Sequence, residues 1–302
     1  MNRLVLFALT STLFISCKKE LSKNPPKTET DPIPQFAMTA AKVQYSKKIL
    51  KREISSVDPN TTFKYVKIFS YDAFSRCSKI EIGTIDSSAA NPSFLLKQTI
   101  TFTYEGSITI LPSSFSSVRT VFPNLVTTYY YTYNALGRKI KDSVRVKNQA
   151  GEPADRVIHY VYNKEKVSVT PVLTGFPMEN NSYDTLSLLS GGNIEKLTSR
   201  IIKTSGDQTV VYSFTYDKYI SPYNKLNISN SLYFESASLG IGYNVPLETH
   251  YMGVTTNNLT SWTTNDYTVQ FKYVYDSDLY PVRKEMCLPG KSLPSQVTLF
   301  EY

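Results

Sequence analysis

The sequence is poor in the residues that most metal and thiol chemistries use. Its 302 residues include two His, three Cys and one Trp, and only 12 are glycine. The usual zinc sites and thiol-based active sites therefore lack their ligands and nucleophiles, so no metal site and no cofactor is expected. After residue 17, no run approaches the roughly 20 apolar residues that a membrane-spanning helix needs. A bundle of membrane helices is therefore excluded.

Aromatic residues are abundant instead. The chain has 23 Tyr and 15 Phe, and aromatics make up 13% of a sequence that is 41% hydrophobic and 19% charged, which is not the composition of a disordered chain. The net charge of +8 is a mild excess for this length. The basic residues alternate along the sequence rather than clustering, so we predict no nucleic-acid partner.

The first residues form a targeting segment. After Arg3, residues 4–15 are apolar or weakly polar, and twelve residues are too short to cross a bilayer as a helix. Residues 1–16 are therefore predicted to be a signal peptide. Ser16 followed by Cys17 resembles a bacterial lipobox, although Phe14 stands where Leu is usual. The resemblance implies that the Cys17 thiol carries a diacylglycerol and becomes the first residue after cleavage.

A tether and one large domain are predicted to follow. Residues 17–39 contain the lipidated Cys and four prolines without a periodic apolar pattern, which is typical of a semi-rigid linker. Lys18, Lys19 and Glu20 partly resemble the surface-export signal of Bacteroidetes-type lipoproteins. We therefore expect an outer-membrane lipid anchor, with the cell surface and the periplasmic side both open. Residues 40–302 are predicted to form a β domain built from repeats.

The repeat is an aromatic residue, one further residue, and a tyrosine. The tyrosines recur at intervals of about 30 residues, with two gaps near twice that length, which is typical of a repeated supersecondary unit. In most copies the tyrosine is followed by Asp, Asn or Glu. The copies are Phe69/Tyr71, Phe102/Tyr104, Tyr131/Tyr133, Tyr160/Tyr162, Phe214/Tyr216, Tyr273/Tyr275 and Phe300/Tyr302.

The pattern inside one copy predicts a β-hairpin. In YTYNALGRKIKDSVRV, tyrosines alternate on one face, residues 134–137 have turn chemistry, and Ile140, Val144 and Val146 then alternate with polar residues. A unit of about 28 residues holds two strands, so residues 41–302 predict roughly 16 to 18 antiparallel strands in meander order. The fold class is all-β with very little helix. So many strands form either a curled sheet or a closed, porin-like barrel.

Two copies carry a family resemblance. YDAFSRCSKI and YNALGRKIKD resemble the YD repeat of RHS-type proteins, in which Tyr and Asp are followed by Gly and Arg. The chain as a whole resembles Bacteroidetes-type lipoproteins with a domain of unknown function and a porin-like fold. This likeness rests on the lipobox, the YD-like hairpins, and the segments YDKYISPYNKL and YVYDSDLYPVRKE. It implies a β architecture and no known activity.

The candidate sites are few, and no catalytic residue is assigned. Cys77 and Cys287 lie in the first and last clear repeats, so a disulfide between them would hold a closing sheet; two unpaired cysteines are the other possibility. Trp262 lies in a Ser/Thr/Asn-rich stretch, where an exposed indole can stack on a sugar ring. His159 and His250 lack metal-site spacing, and Pro289–Ser292 (PGKS) lacks the first glycine of a phosphate loop.

Three functional hypotheses follow. The favoured one is a lipid-anchored, non-enzymatic envelope protein that serves binding or scaffolding, with a glycan or another envelope protein as partner. The second is an outer-membrane pore, because the strands are numerous and the C-terminal LFEY is similar to the last strand of a membrane barrel. The third hypothesis, an envelope hydrolase, is disfavoured because the sequence has no GxSxG, HExxH or comparable motif.

Overall fold

The fold was analysed in a computed structural model. The structure describes residues 48–56, 61–107, 109, 111–135, 139–147, 154–163, 166–173, 182–189, 193–201, 206–223, 257–264 and 266–302. The predicted signal peptide, Cys17, the tether and His250 lie outside the described residues. The described part contains no helix that could span a membrane.

Sixteen strands are present among the described residues, within the predicted range, and those residues contain no helix. The predicted all-β meander of repeated hairpins is confirmed. The strands are β1 Arg52–Ser56, β2 Phe63–Tyr71, β3 Cys77–Asp86, β4 Phe94–Thr103, β5 Ser114–Arg119, β6 Phe122–Tyr133, β7 Lys139–Lys147, β8 Ala154–Asn163, β9 Lys166–Leu173, β10 Ser182–Leu188, β11 Ile194–Ile201, β12 Gln208–Ile220, β13 Asn257–Thr263, β14 Thr268–Tyr275, β15 Pro281–Cys287 and β16 Gln296–Glu301.

Each strand pairs antiparallel with its neighbours in sequence, and the first strand also pairs with the last. At this seam Arg52 lies opposite Glu301 and Ser56 lies opposite Val297. The sheet therefore closes into a barrel, and no edge strand is left among the described strands.

The two ends of the barrel differ in the residues that form them. Six of the seven aromatic-x-Tyr repeats lie at or just beyond the end of an even-numbered strand, and Tyr216 lies four residues before the end of β12, so all seven repeat tyrosines lie towards one end. We call this end the tyrosine rim and the opposite end the far rim. Both Lys48, just before β1, and Tyr302, just after β16, are at the tyrosine rim.

Candidate functional site

Repeat tyrosines hold the tyrosine rim together through their hydroxyl groups. The Tyr71 hydroxyl donates to the Leu50 carbonyl at 2.6 Å, and the Tyr104 hydroxyl donates to the Cys77 carbonyl at 2.8 Å. Tyr133, Tyr216 and Tyr302 make the same contact with the carbonyls of Pro112, Ile194 and Pro281 at 2.9 to 3.0 Å. In each case the acceptor lies at or just before the start of the preceding strand. Each tyrosine therefore ties two neighbouring strands together at the rim.

The Asp that follows the tyrosine caps the next turn. Asp72 Oδ1 accepts hydrogen bonds from the backbone N–H groups of Phe74 and Arg76, both at 2.9 Å. Asp276 Oδ1 accepts the equivalent bonds from Asp278 and Tyr280. These contacts replace backbone partners that a tight turn leaves unsatisfied. The Asp of the repeat is therefore accounted for by turn structure.

Arg76 connects two consecutive repeats. Its guanidinium forms an ion pair with Asp72 at 2.6 Å and donates to the carbonyls of Gly106 and Thr109 in the next turn. The same group lies 4.3 Å from the ring centroid of Tyr104, the next repeat tyrosine. Because planar guanidinium groups combine stacking with several donors, one side chain here organises two adjacent turns.

The inner face of the barrel is apolar and closely packed. Its main residues are at most 9% exposed, and in a lone closed sheet only the inside can bury so many large side chains. A round barrel of this strand number would usually leave a water-filled channel. Because these inner side chains are so little exposed, the interior of this barrel instead excludes water where they lie. The residues are Phe69, Ile80, Ile100, Phe102, Phe115, Tyr129, Tyr131, Val144, Ile158, Leu186, Leu197, Phe214, Trp262, Val269, Phe271, Met286 and Phe300.

The outer face carries the charged residues of the same strands. Arg283 and Glu285 form an ion pair at 2.7 Å, and Lys79 and Glu81 form another at 3.1 Å. Lys79 and Glu81 alternate with the buried Ile80 and Ile82, and Arg283 and Glu285 alternate with the buried Lys284 and Met286. The charged outward residues are Arg52, Lys79, Glu81, Lys97, Lys141, Arg145, Lys272, Arg283, Glu285 and Glu301.

Charged side chains also lie inside the barrel: Asp142 on β7 is buried and accepts from the Tyr160 hydroxyl at 2.6 Å, and a larger cluster surrounds Glu53. Glu53 on β1 is 6% exposed and accepts from Lys67 on β2 at 3.0 Å. It also accepts from the Tyr223 hydroxyl at 2.8 Å. Lys284 on β15 is equally buried, and its Nζ lies 5.7 Å from the ring centroid of Phe271. We call Glu53, Lys67, Tyr223 and Lys284 the lumenal ion cluster.

The cluster keeps Glu53 ionised although it is buried. Burial alone raises the pKa of Glu53, but the charges of Lys67 and Lys284 and the hydrogen bond from Tyr223 lower that pKa below its ordinary value. The carboxylate accepts from Lys67 on β2 and from Tyr223 after β12, and it interacts electrostatically with Lys284 on β15. It therefore links sequence segments up to 231 residues apart, from Glu53 to Lys284.

Tyr223 reaches the cluster from an inward segment. Residues 221–223 follow β12 and are buried, and the Tyr223 ring packs edge-on against Phe300 with 6.1 Å between centroids. On the barrel wall β12 is separated from β16 by three strands, β13 to β15. The segment therefore occupies part of the interior beneath the tyrosine rim and contributes to the packing that excludes water.

A second polar group lies at the tyrosine rim around Asp217. Its carboxylate accepts from the Tyr275 hydroxyl, from the Tyr219 N–H at 2.9 Å and from the Asn258 side-chain amide. Burial raises the pKa of Asp217 above its ordinary value despite these donors. Among the described residues, no group of three or more His, Cys, Asp or Glu is placed to bind a metal ion.

Of the two possibilities for Cys77 and Cys287, the disulfide does not form. Cys77 and Cys287 are both buried thiols. Cys77 begins β3 at the tyrosine rim and Cys287 ends β15 at the far rim, so the length of the barrel separates them. Around the closed barrel, the strands β16, β1 and β2 also lie between β15 and β3. Burial raises the pKa of the Cys77 thiol to about 12, which makes it a poor nucleophile.

Trp262, the possible sugar-stacking residue, is packed inside the barrel instead. Trp262 is 4% exposed and lies opposite Phe214 on the inner face. Its ring packs edge-on against Tyr212 and Tyr267, with centroids 6.0 and 5.3 Å away. The polar residues around it in sequence are its outward neighbours and the adjoining turn.

The remaining candidates lie where the sequence predicts. His159 is exposed on the outer face of β8, and Pro289–Ser292 lies in the turn between β15 and β16. The lumenal ion cluster was missed because its members occur singly at widely spaced positions. The only local signal was a charged residue, Glu53, Lys67 or Lys284, at an inward position of an alternating strand.

Comparison with known proteins identifies the fold. No protein-family model matches the chain. The curated proteins give no match either. Among solved structures, a porin-like protein from Bacteroides vulgatus aligns with 84% of this chain and 98% of its own, at 12% identity and a TM-score of 0.50. A porin-like protein from Bacteroides uniformis aligns over 83% and 94%, at 9% identity and a TM-score of 0.41. The chain therefore shares the β fold of the first of these structures.

Proposed function

We propose that this chain is a lipid-anchored envelope protein whose barrel stands in water beside the membrane and acts as a non-enzymatic binding or scaffolding module. The polarity of the barrel wall carries the proposal. A barrel embedded in lipid needs an outward apolar belt about 25 Å tall, and charges near its middle are costly. Here the ion pairs Lys79–Glu81 and Arg283–Glu285 interrupt the outward face between its exposed apolar residues, and most of the buried large apolar residues face inward.

The envelope location is supported by two independent features. The lipobox-like Ser16-Cys17 follows a signal-peptide core, and the fold is similar to that of a porin-like protein from Bacteroides. A dually or triply acylated cysteine gives membrane attachment that is effectively permanent. Either face of the outer membrane remains compatible with these features. The partner we favour is an envelope protein, because burial of Trp262 removes the reason for a glycan.

An outer-membrane pore is the alternative function, and the test must distinguish it from a lipid-anchored barrel that stands in water. The chief support for the pore in the sequence was the number of strands and the C-terminal LFEY. The packed interior and the residues 221–223 within it favour a filled barrel over an open channel. Lipidation would also be redundant for a barrel that is already embedded.

The first experiment is expression of residues 18–302 without detergent, followed by size-exclusion chromatography and far-UV circular dichroism. We expect a dispersed, β-rich species, because the outer face is charged and the truncation removes none of the described residues. A species that stays dispersed only in detergent, or that conducts ions in a planar bilayer, would overturn the proposal in favour of the pore.

The anchor is tested separately by fractionation of cells that produce the Cys17→Ser variant. We expect the wild-type chain in the membrane fraction and the variant released from it, because acylation needs the thiol. Ser16→Ala, which keeps a small residue before Cys17, is the matched control and should remain with the membrane. Retention of Cys17→Ser in the membrane fraction would contradict the anchor.

A further inference from the structure

One sector of the far rim exposes large apolar side chains. Phe63, Leu95, Val121 and Phe122 are 57 to 69% exposed, whereas Phe69, Phe102 and Phe115 in the same strands are buried. We call these four residues the apolar rim patch. Single exposed apolar residues are ordinary on protein surfaces, but several at one place mark an interaction site.

The four residues lie at the same end of five consecutive strands. Phe63 begins β2, Leu95 is the second residue of β4, and Val121 and Phe122 lie where β5 turns into β6. The Thr120 N–H and hydroxyl donate to the carbonyls of Lys97 and Leu96, both at 2.8 Å, which holds this turn against β4. Four strand spacings of about 4.8 Å place the whole patch within roughly 20 Å along the rim.

The turn at the centre of the patch has an unusual composition. Thr120 and Val121 form a two-residue connection, where Gly, Asn, Asp and Ser are the residues that turn geometry favours. Valine at the turn and Phe122 directly after it gain nothing from the interior, since both are exposed. Apolar residues that neither favour the turn nor become buried indicate a role other than stabilising the fold.

The charges beside the patch are mainly positive. Lys64 and Lys97 lie on the outer face at this end, and neither forms an ion pair within the described part of the chain. Asp86 is the acid next to the patch, and its Oδ1 accepts from the Ser88 N–H at 3.0 Å and hydroxyl at 2.7 Å. Exposed apolar side chains that are flanked by lysines are complementary to a surface that has both hydrocarbon chains and negative charge.

We infer that the apolar rim patch docks on an anionic lipid surface, with Val121 and Phe122 inserted at the headgroup level and Lys64 and Lys97 facing the lipid phosphates. A second copy of the chain is a poorer occupant. A two-fold interface would bring the same lysines of both copies together, and the like charges would repel.

The inference does not depend on the anchor, but it is compatible with one. The tether enters the barrel at the tyrosine rim, so docking requires the chain to pass along the barrel. A strand of ten residues is about 33 Å long, whereas the roughly 30 residues between Cys17 and Lys48 can span about 90 Å. An acyl anchor would then raise the effective concentration of the far rim at the same membrane.

The test is co-sedimentation of purified residues 18–302 with vesicles. One set contains phosphatidylcholine with about one-third phosphatidylglycerol, and the other contains phosphatidylcholine alone. We expect binding to the anionic set that weakens with added salt and falls about tenfold in the double variant Val121→Ser/Phe122→Ser. Lys64→Gln/Lys97→Gln should lower binding to the anionic set while leaving the neutral set unchanged. Leu279→Ser, which removes an exposed apolar residue at the opposite rim, should bind like the wild type.

Each other outcome overturns the inference in a recognisable way. A dispersed chain that ignores both vesicle sets refutes lipid docking while leaving the proposed function in place. Concentration-dependent dimerisation that Val121→Ser/Phe122→Ser abolishes, without vesicle binding, assigns the patch to a second copy. Insertion into both vesicle sets that resists salt and all the rim substitutions would refute both this inference and the water-standing barrel.

Discussion

At the scale of single residues, each member of the repeat has a separate structural task. The tyrosine hydroxyl ties its strand to the start of the preceding one, and the following Asp caps the turn. The residue four positions after the tyrosine adopts a left-handed backbone, with φ of +59° at Ser75 and +66° at Leu279. The repeat tyrosines therefore have structural roles at the rim.

The left-handed position gives the first prediction. Leu279 is 55% exposed, so its side chain contributes little packing, while its Cβ is strained at φ +66°. Leu279→Gly should raise the free energy of unfolding by up to about 1 kcal/mol, because glycine adopts this conformation without strain. Thermal and urea unfolding of the purified barrel would measure the change.

Leu279→Ala is the matched control, since it removes the same exposed side chain but keeps the Cβ. It should leave the stability close to that of the wild type. A glycine variant that is no more stable than the alanine variant would show that the strain at this position is negligible.

The sequence predicted these residue roles unevenly. The alternation of Tyr129, Tyr131 and Tyr133 indicated one packed face, and YNALG placed glycine where the strained position falls. Trp262 was misjudged because β13 has small polar residues on both faces, which removes the alternation signal. Its cross-strand partner Phe214 lies 48 residues earlier, so no local pattern could reveal the pairing.

At the scale of elements, hairpins are the repeated unit and the lumenal ion cluster joins units that are distant in sequence. Hairpin order followed from the spacing of the repeats, because antiparallel neighbours need only short connections. The cluster could not be predicted, since its assembly depends on closure of the sheet and on the path of residues 221–223. One position, Glu53, carries most of its contacts.

Loss of the Glu53 charge is the second prediction. Glu53→Gln leaves Lys67 and Lys284 without their buried counter-charge, and should lower the free energy of unfolding at pH 7 by about 3 kcal/mol. Folding lowers the pKa of Glu53 below its ordinary value of 4.5. Its contribution is therefore complete above that value and is lost as the pH falls through the lower pKa of the folded state.

Urea unfolding between neutral and acidic pH checks both parts of this prediction. The difference between Glu53→Gln and the wild type should shrink as the pH falls below 4.5. Glu301→Gln, at the same seam but on the exposed face, should cost less than about 1 kcal/mol. A constant difference across the pH range would mean that the charge of Glu53 does not support the fold.

At the scale of the whole molecule, closure depends on the last residues of the chain. Phe300 lies opposite Glu53 and packs against Tyr223, and the Tyr302 hydroxyl donates to the Pro281 carbonyl at 3.0 Å. The seam was anticipated only as one of two possibilities, since repeat spacing alone does not distinguish a curled sheet from a closed one. The pairing of β1 with β16 in the structure shows that the sheet is closed.

Removal of Phe300, Glu301 and Tyr302 is the third prediction. The truncated chain should remain dispersed and β-rich, but its Tm should fall by about 10 °C, because two aromatic residues and the rim contact are lost. Circular dichroism during heating measures the change, and Tyr302→Phe, which removes only the hydroxyl, should have a much smaller effect. A truncated chain that cannot assemble at all, and a wild type that needs lipid or detergent, would instead fit the last strand of a membrane barrel.

The position of the start of β1 and the end of β16 at the tyrosine rim also bears on how the barrel is made. Closure pairs a strand that is synthesised near the beginning with the one synthesised last, and the backbone N–H of Lys51 bonds to the Glu301 carbonyl across that seam at 2.8 Å. The hairpins can form one after another as the polypeptide emerges, but the ring cannot close before synthesis ends. Until then two strand edges stay open, so a growing chain would need protection from aggregation. A short linker between Lys48 and Tyr302 would make closure local, and new ends could be opened at another turn of the same rim.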